Sequence, residues 1–223
     1  MQPPKIISNR FLFHFALPCQ YLSELEKRES LPETHRLIDL NFLEQETQDI
    51  EAVQDIRGAW NASGIALEFF VTGKKQAPWC QPNRPEESDR VEIWLDTRNV
   101  QNVHRANQFC HRFLCLPAGS GKNGELGAIF TLPINRAKQR PAEIPRGVLQ
   151  ISSKILPDGY SLYIFLSKKG LTGYDPKEFH DLGIAWEIVD HELGTRTLTV
   201  GNPFPYQEDP SLWYTLSLQE KNA

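Results

Sequence analysis

Between Ser88 and Leu116 the chain alternates in a way that only a pleated strand can use. Val91, Ile93 and Leu95 fall on one side of an extended backbone, and Glu92, Trp94 and Asp96 fall on the other. A helix of the same composition would scatter these residues around its axis, so the stretch commits the chain to a sheet with one apolar face. The second face displays two carboxylates and an indole, and is where binding or chemistry is expected.

The same pattern recurs along the chain. Phe11, Phe13, Phe15 and Leu17 alternate with Leu12, His14 and Ala16, and Ile65, Leu67, Phe69 and Val71 follow the break at Gly64. Phe109 to Leu116 alternates again, with His111 on one side and Cys110 and Arg112 on the other. Val148–Ile155 and Tyr160–Ser167 flank Pro157-Asp158-Gly159, a hairpin signal in which proline presets the turn and glycine is expected to supply a positive φ. Leu182–Asp190, Thr197–Gly201 and Leu212–Leu218 complete the strands, with a brief one expected at Leu37–Leu40 and an edge strand or loop over Glu44–Trp60. Leu22–Arg28 reads as a short helical turn, Gly119–Gly127 as a flexible connection, and Ile129–Arg146 as mostly loop. About nine short strands separated by turn residues predict an all-β chain, a two-sheet antiparallel β-sandwich with long loops, and residues 1–223 as one domain.

Composition narrows the partners. Forty per cent hydrophobic residues in 223 can bury a sizeable core. A net charge of -4 leaves no basic footprint for nucleic acid, and no stretch is long enough to span a bilayer. The four cysteines form no CxxC pair, and the Phe11–Leu17 run lacks a cleavage site, so a cytoplasmic protein with reduced thiols is expected.

Several catalytic patterns begin and break off. Gly121-Lys122 is followed by Asn123, where a phosphate-cradling loop needs Ser or Thr. His191-Glu192 opens like a helical zinc-protease motif, but Thr195 stands at the second histidine position. Cys110 and His111 are strand neighbours that point to opposite faces and do not share a metal. Glu92 and Asp96 lie about 13 Å apart along one strand face, too far for a cooperating hydrolytic pair. No catalytic residue is assigned, and a non-catalytic role is expected.

The order of motifs resembles a known family. Asp89-Arg90-Val91-Glu92-Ile93-Trp94-Leu95-Asp96 is similar to the Asp-x-Val-Glu-Ile-Phe-x-Asp strand of family 9 carbohydrate-binding modules and the related DOMON-like sandwiches. Gly159–Leu166, Leu182–Asp190 and the closing Asp209-Pro210-Ser211 segment with the strand to Leu218 resemble the family's later strands, so that the resemblance covers most of residues 50 to 220. It implies a β-sandwich that does no chemistry and holds a saccharide between two tryptophan rings, since apolar C–H faces of sugars stack on indoles while rim hydroxyls take hydrogen bonds. Trp79, on the loop before the central strand, matches the place of one ring. The second ring's segment, Gly201–Tyr206, has no tryptophan, and Phe204 or Tyr206 stands there instead. The candidate ligand contacts are therefore Trp79, Glu92, Trp94, Arg98, Asn202, Phe204 and Tyr206. The family often carries structural calcium, so the resemblance implies a calcium ion whose ligands in this chain are not identified, while the residues themselves predict no cofactor. The rival expectation is a protein-interaction or assembly domain on the same fold that has lost the sugar site.

Overall fold

In a computed structural model the described residues are 14–37, 54–201 and 204–220. They form eleven strands and several 3-10 turns. The strands are β1 (Ala16–Tyr21), β2 (Gln54–Asn61), β3 (Gly64–Thr72), β4 (Arg90–Asp96), β5 (Cys110–Ser120), β6 (Leu126–Leu132), β7 (Leu149–Leu156), β8 (Gly159–Ser167), β9 (Asp181–Asp190), β10 (Gly194–Thr197) and β11 (Tyr214–Leu218). The predicted all-β class is the one observed.

The strands run in the order β6-β5-β4-β9-β11-β1-β2-β3-β8-β7, with β10 pairing β9 off this path. The path folds into two facing sheets because β1 changes partner halfway along. Ala16 to Cys19 lie parallel to Thr215–Leu218 of β11, and Gln20 and Tyr21 then pair with Ala59 and Trp60 of β2. One sheet is thus β6-β5-β4-β9-β11 and the other β2-β3-β8-β7. At the far side the end strands β6 and β7 come close, and Ser153 Oγ donates to the Pro117 carbonyl, so the sandwich nearly closes.

Between the sheets lies the core that the alternation foretells. Leu17, Leu67, Phe69, Val91, Ile93, Leu95, Phe113, Ile164, Ile184 and Trp186 belong to one buried cluster. Each fully buried aliphatic or aromatic side chain of this kind contributes about 1.5–3 kcal/mol of transfer free energy.

Both outer faces are covered as well, which alternation alone does not reveal. On the β2-β3-β8 face Leu25 and Leu31 from the segment after β1 pack on Ala59, Ala66, Tyr163 and Phe165. On the β4-β9 face Ala106, Ile134, Tyr206 and Trp213 from three separate loops pack on Trp94, Cys110 and Ala185.

Several local expectations change. Gln54–Asn61 is an interior strand between β1 and β3, and β6 occupies residues expected to be loop. The strand expected at Thr197–Gly201 instead runs Gly194–Thr197. The β7–β8 hairpin forms around Pro157-Asp158, but Gly159 does not take a positive φ. It is glycine for space: a Cβ there would lie 1.8 Å from the Val71 carbonyl oxygen of β3. The strand expected at Leu37–Leu40 lies mostly outside the described residues, as do Phe11 to Phe13 and the first part of Glu44–Trp60.

Candidate functional site

At the start of β4 the rim of the sandwich is organised by Asp89, a carboxylate only 1% exposed. Its Oδ2 accepts the Trp79 backbone N–H at 3.0 Å, and its own N–H donates to the Trp79 carbonyl at 2.8 Å. Its Oδ1 accepts the His191 backbone N–H at 2.9 Å and meets His191 Nδ1 at 2.5 Å. Burial alone would raise this carboxyl's pKa, but the bonds from His191 and Trp79 and the charge of Lys74 outweigh it and hold the group below the usual carboxylate range.

Trp79 is thereby fixed at its backbone while the residue stays 43% exposed. The His191 ring makes a T-shaped contact with it, 4.9 Å between centroids with the planes at 73°. The fragment His191-Glu192, which fails as a zinc motif, has a different part here. His191 buttresses the indole, and the Glu192 carboxylate accepts the Lys75 and Gln76 amides at 2.8 and 3.2 Å, tying the incoming loop to the turn after β9.

The second face of β4 is not displayed. Glu92, Trp94 and Asp96 are all 2% exposed or less. Glu92 lies directly opposite Glu187 of β9, a pairing of like charges that is unfavourable unless cations intervene. Two arginines do so. Arg90 Nε and Arg112 Nε reach Glu92 at 2.7 and 2.8 Å, and Arg90 Nη2 lies 3.7 Å from Glu187. Tyr206 and Gln207 donate to Glu187 Oε2 at 2.5 and 3.0 Å. Glu86, from the loop that carries Trp79, extends the network to Arg112 at 3.1 Å. Two carboxylates so close and so well paired make an internal ion network rather than an acid–base couple.

Trp94 is completely buried. Tyr206 meets it edge-on at 5.9 Å, the Arg112 guanidinium lies 5.8 Å from its ring, and Tyr206 is itself 3% exposed. Neither ring offers a face to a ligand. The structure therefore gathers Glu92, Trp94 and Tyr206 beneath the loops that cover this face, with Arg90, Arg112, Glu187 and Gln207 as partners that sequence reasoning missed. Phe204 sits half-buried on the approach to Tyr206, and Asn202 lies outside the described residues. Arg98 belongs to the opposite end of β4, about 20 Å from the Trp79 end by strand rise. There it is stacked between Phe109 at 4.7 Å and Phe179 at 3.6 Å, with Nη1 on the Gly173 carbonyl.

A serine, a histidine and an aspartate also meet, at Ser211, His104 and Asp209. Both Ser211 Oγ (3.1 Å) and Asp209 Oδ2 (3.0 Å) approach the same ring nitrogen, His104 Nδ1. A nucleophilic triad needs the two on opposite nitrogens, so the trio does not activate the serine.

Calcium, which the resemblance implies, takes six to eight oxygens at about 2.3–2.6 Å. The buried carboxylates that converge at the rim are Asp89 and Asp190, with Glu192 beside them, and the point of convergence is filled by the Lys74 ammonium, 2.6 Å from Asp190 and 3.2 Å from Asp89. Those residues do not fit a calcium ion. Among the described residues no group of three or more His, Cys, Asp or Glu side chains could hold a metal.

Solved structures of similar fold exist. A family 9 carbohydrate-binding module from Caldicellulosiruptor kristjanssonii in complex with cellotriose superposes with a TM-score of 0.62 at 14% identity, covering 93% of this chain and 95% of that one. The fold is that of family 9 carbohydrate-binding modules. The glucose complex from the same organism gives 0.60 at 15% identity, with 93% and 97% coverage. A candidate carbohydrate-binding protein from Bacteroides uniformis ATCC 8492 gives 0.57 at 12% identity, with 93% and 100% coverage. No family model matches the sequence, and no curated protein matches it significantly.

Proposed function

We propose that this chain is a non-catalytic carbohydrate-binding module whose ligand stacks on Trp79. The observation that carries the reading is a tryptophan left 43% exposed on a backbone held at both its N–H and its carbonyl by one buried aspartate. An unheld loop would turn so much apolar surface inward, whereas a held one keeps a flat platform ready and reduces the ordering cost of binding. The half-exposed His191 ring beside it supplies a polar edge of the kind a sugar hydroxyl needs. The solved structures of the same fold hold cellotriose and glucose, which makes β-linked glucose oligomers the first ligands to try.

Titration of the chain with a panel of neutral oligosaccharides, cellotriose among them, while tryptophan fluorescence is recorded tests the proposal. A saturable change that disappears in Trp79→Ala is expected. Binding of equal strength in that variant, or silence across the panel, would refute it.

An assembly domain is the second reading, and one observation favours it. Leu126 and Ile155 are 62% and 45% exposed on β6 and β7, the two strands that end the sheet path, and exposed apolar side chains beside a seam that is not fully closed invite contact with a second copy. Light scattering separates the readings: a dimer that dissociates in Leu126→Lys supports assembly, and a monomer that binds sugar supports the first.

A further inference from the structure

Beneath the Trp79 platform lies a cation that the chain supplies itself. Lys74 follows Gly73 at the end of β3, in a polar loop where a lysine would ordinarily project into water. Instead its side chain is 2% exposed and its Nζ lies 2.6 Å from Asp190, 3.2 Å from Asp89 and 3.9 Å from Glu192. Its backbone N–H donates to the Asp158 carbonyl at 2.9 Å, which fixes the start of the loop against the β7–β8 hairpin.

Each of the three carboxylates has a second task. Asp89 holds the Trp79 backbone and His191; Asp190 Oδ1 accepts the amides of Glu192 and Leu193, both at 2.9 Å; Glu192 accepts the amides of Lys75 and Gln76. Three anions this close repel one another unless a positive charge sits between them, and two of them are too buried for water to screen the repulsion. Burial pulls the ammonium toward neutrality, but Asp190 and Asp89 outweigh it and keep it charged.

We propose that Lys74 is a positioning residue, an internal counter-ion that holds Asp89 in place beside Asp190 and so holds the Trp79 indole in its ligand-ready pose. The tie runs from the ammonium through the Asp89 carboxylate to the Trp79 amide, and Lys74 itself does not touch the ligand. The same ammonium takes the place a divalent cation would need among these carboxylates, so the rim is built without one. The value of the tie for saccharide binding rests on the function proposed above; the tie itself does not.

Indole N–H resonances read the two apart. The chain has five tryptophans, and Trp79 is assigned by the signal lost in Trp79→Phe. In Lys74→Ala the Trp79 signal is expected to broaden or move toward the value of a free indole while the Trp94, Trp186 and Trp213 signals persist, and affinity for a bound oligosaccharide is expected to fall about tenfold, the scale of re-ordering one large side chain on binding. Asp89→Asn is the companion variant should Lys74→Ala not fold. One amide oxygen cannot serve both Trp79 and His191, so the Trp79 signal should again shift with the core signals unchanged. Calcium added to the native chain should leave the Trp79 signal where it is. A native-like Trp79 signal in Lys74→Ala and Asp89→Asn, or a calcium-induced shift of that signal in the native chain, would overturn the proposal. If no sugar binds the native chain yet the variants still lose the Trp79 signal, the tie stands and the saccharide reading falls.

Discussion

Trp79 and Trp94 lie on either side of the Asp89 turn, one before β4 and one within it, and they meet opposite fates. Trp94 sits on a regular strand with its side chain aimed away from the core, the usual place for an exposed residue, yet three remote loops bury it completely. Trp79 sits on an irregular loop rich in proline, the usual place for a side chain that folds inward, yet hydrogen bonds to one buried aspartate keep it out. Exposure in this molecule follows from what holds the backbone and what lies above the face, not from the periodicity of the strand. The first tryptophan stays exposed at the rim; the second is part of a third packing layer.

Substitution separates the two most sharply. Trp94→Ala should cost about 3–5 kcal/mol of stability, the range for deleting a buried aromatic ring, measured by urea unfolding, whereas Trp79→Ala should stay within about 1 kcal/mol and lose saccharide binding. Equal losses of stability would erase the contrast.

Acid sharpens it from the side of the core. His111, stacked on Phe113 at 5.9 Å, is buried, and burial lowers its pKa from 6.5 to about 4. The folded state therefore binds the proton less readily than the unfolded chain. The stability this site contributes is whole above pH 6.5 and is lost as pH falls toward 4, by roughly 3 kcal/mol at 1.36 kcal/mol per unit. Unfolding followed against pH in native and His111→Leu chains should show a shallower fall in the variant over that window; parallel curves would contradict the assignment.

Tyr206→Phe tests the cover over Trp94. It removes one hydroxyl from the Glu187 carboxylate and leaves Gln207 in place, so a loss of about 1.5–3 kcal/mol is expected by urea unfolding, the range for a hydrogen bond to a charged group. The smallest effect on binding belongs to Arg98→Ala. Loss of its two stacked rings should cost about 0.5–2 kcal/mol with saccharide affinity unchanged, because Arg98 lies at the other end of β4.

The strands were legible where their apolar pattern or an adjoining turn was strong, and β2, though it lies between β1 and β3, was not among them. β4 and β9 carry large apolar side chains at every second position because one face of each meets the core, β8 shows a continuous apolar run because both its faces are buried, and the Pro157-Asp158 turn carries its own signal. β6 was not legible: Leu126–Leu132 has a single paired neighbour, β5, and intermediate or high exposure throughout, so no alternation marks it. The covered outer faces were hidden for a different reason. Trp94 is buried by Ala106, Ile134 and Tyr206, residues far apart in the chain, and no local pattern reports such contacts. Trp79 could be singled out because a tryptophan among prolines has few explanations, but Lys74 could not, because nothing in Gly73-Lys74-Lys75 distinguishes the buried lysine from its neighbour. Arg112 was visible as a polar residue on an alternating strand; its bond to Glu92 became apparent only with the register that sets Trp94 opposite Arg112.

The most direct test is a titration of the native chain with cellotriose in which the five indole N–H signals are followed together. The account predicts one saturating shift, at Trp79, with the buried Trp94 and Trp213 unmoved. Saturation that shifts Trp94 and spares Trp79 would place the ligand under the covering loops and contradict it.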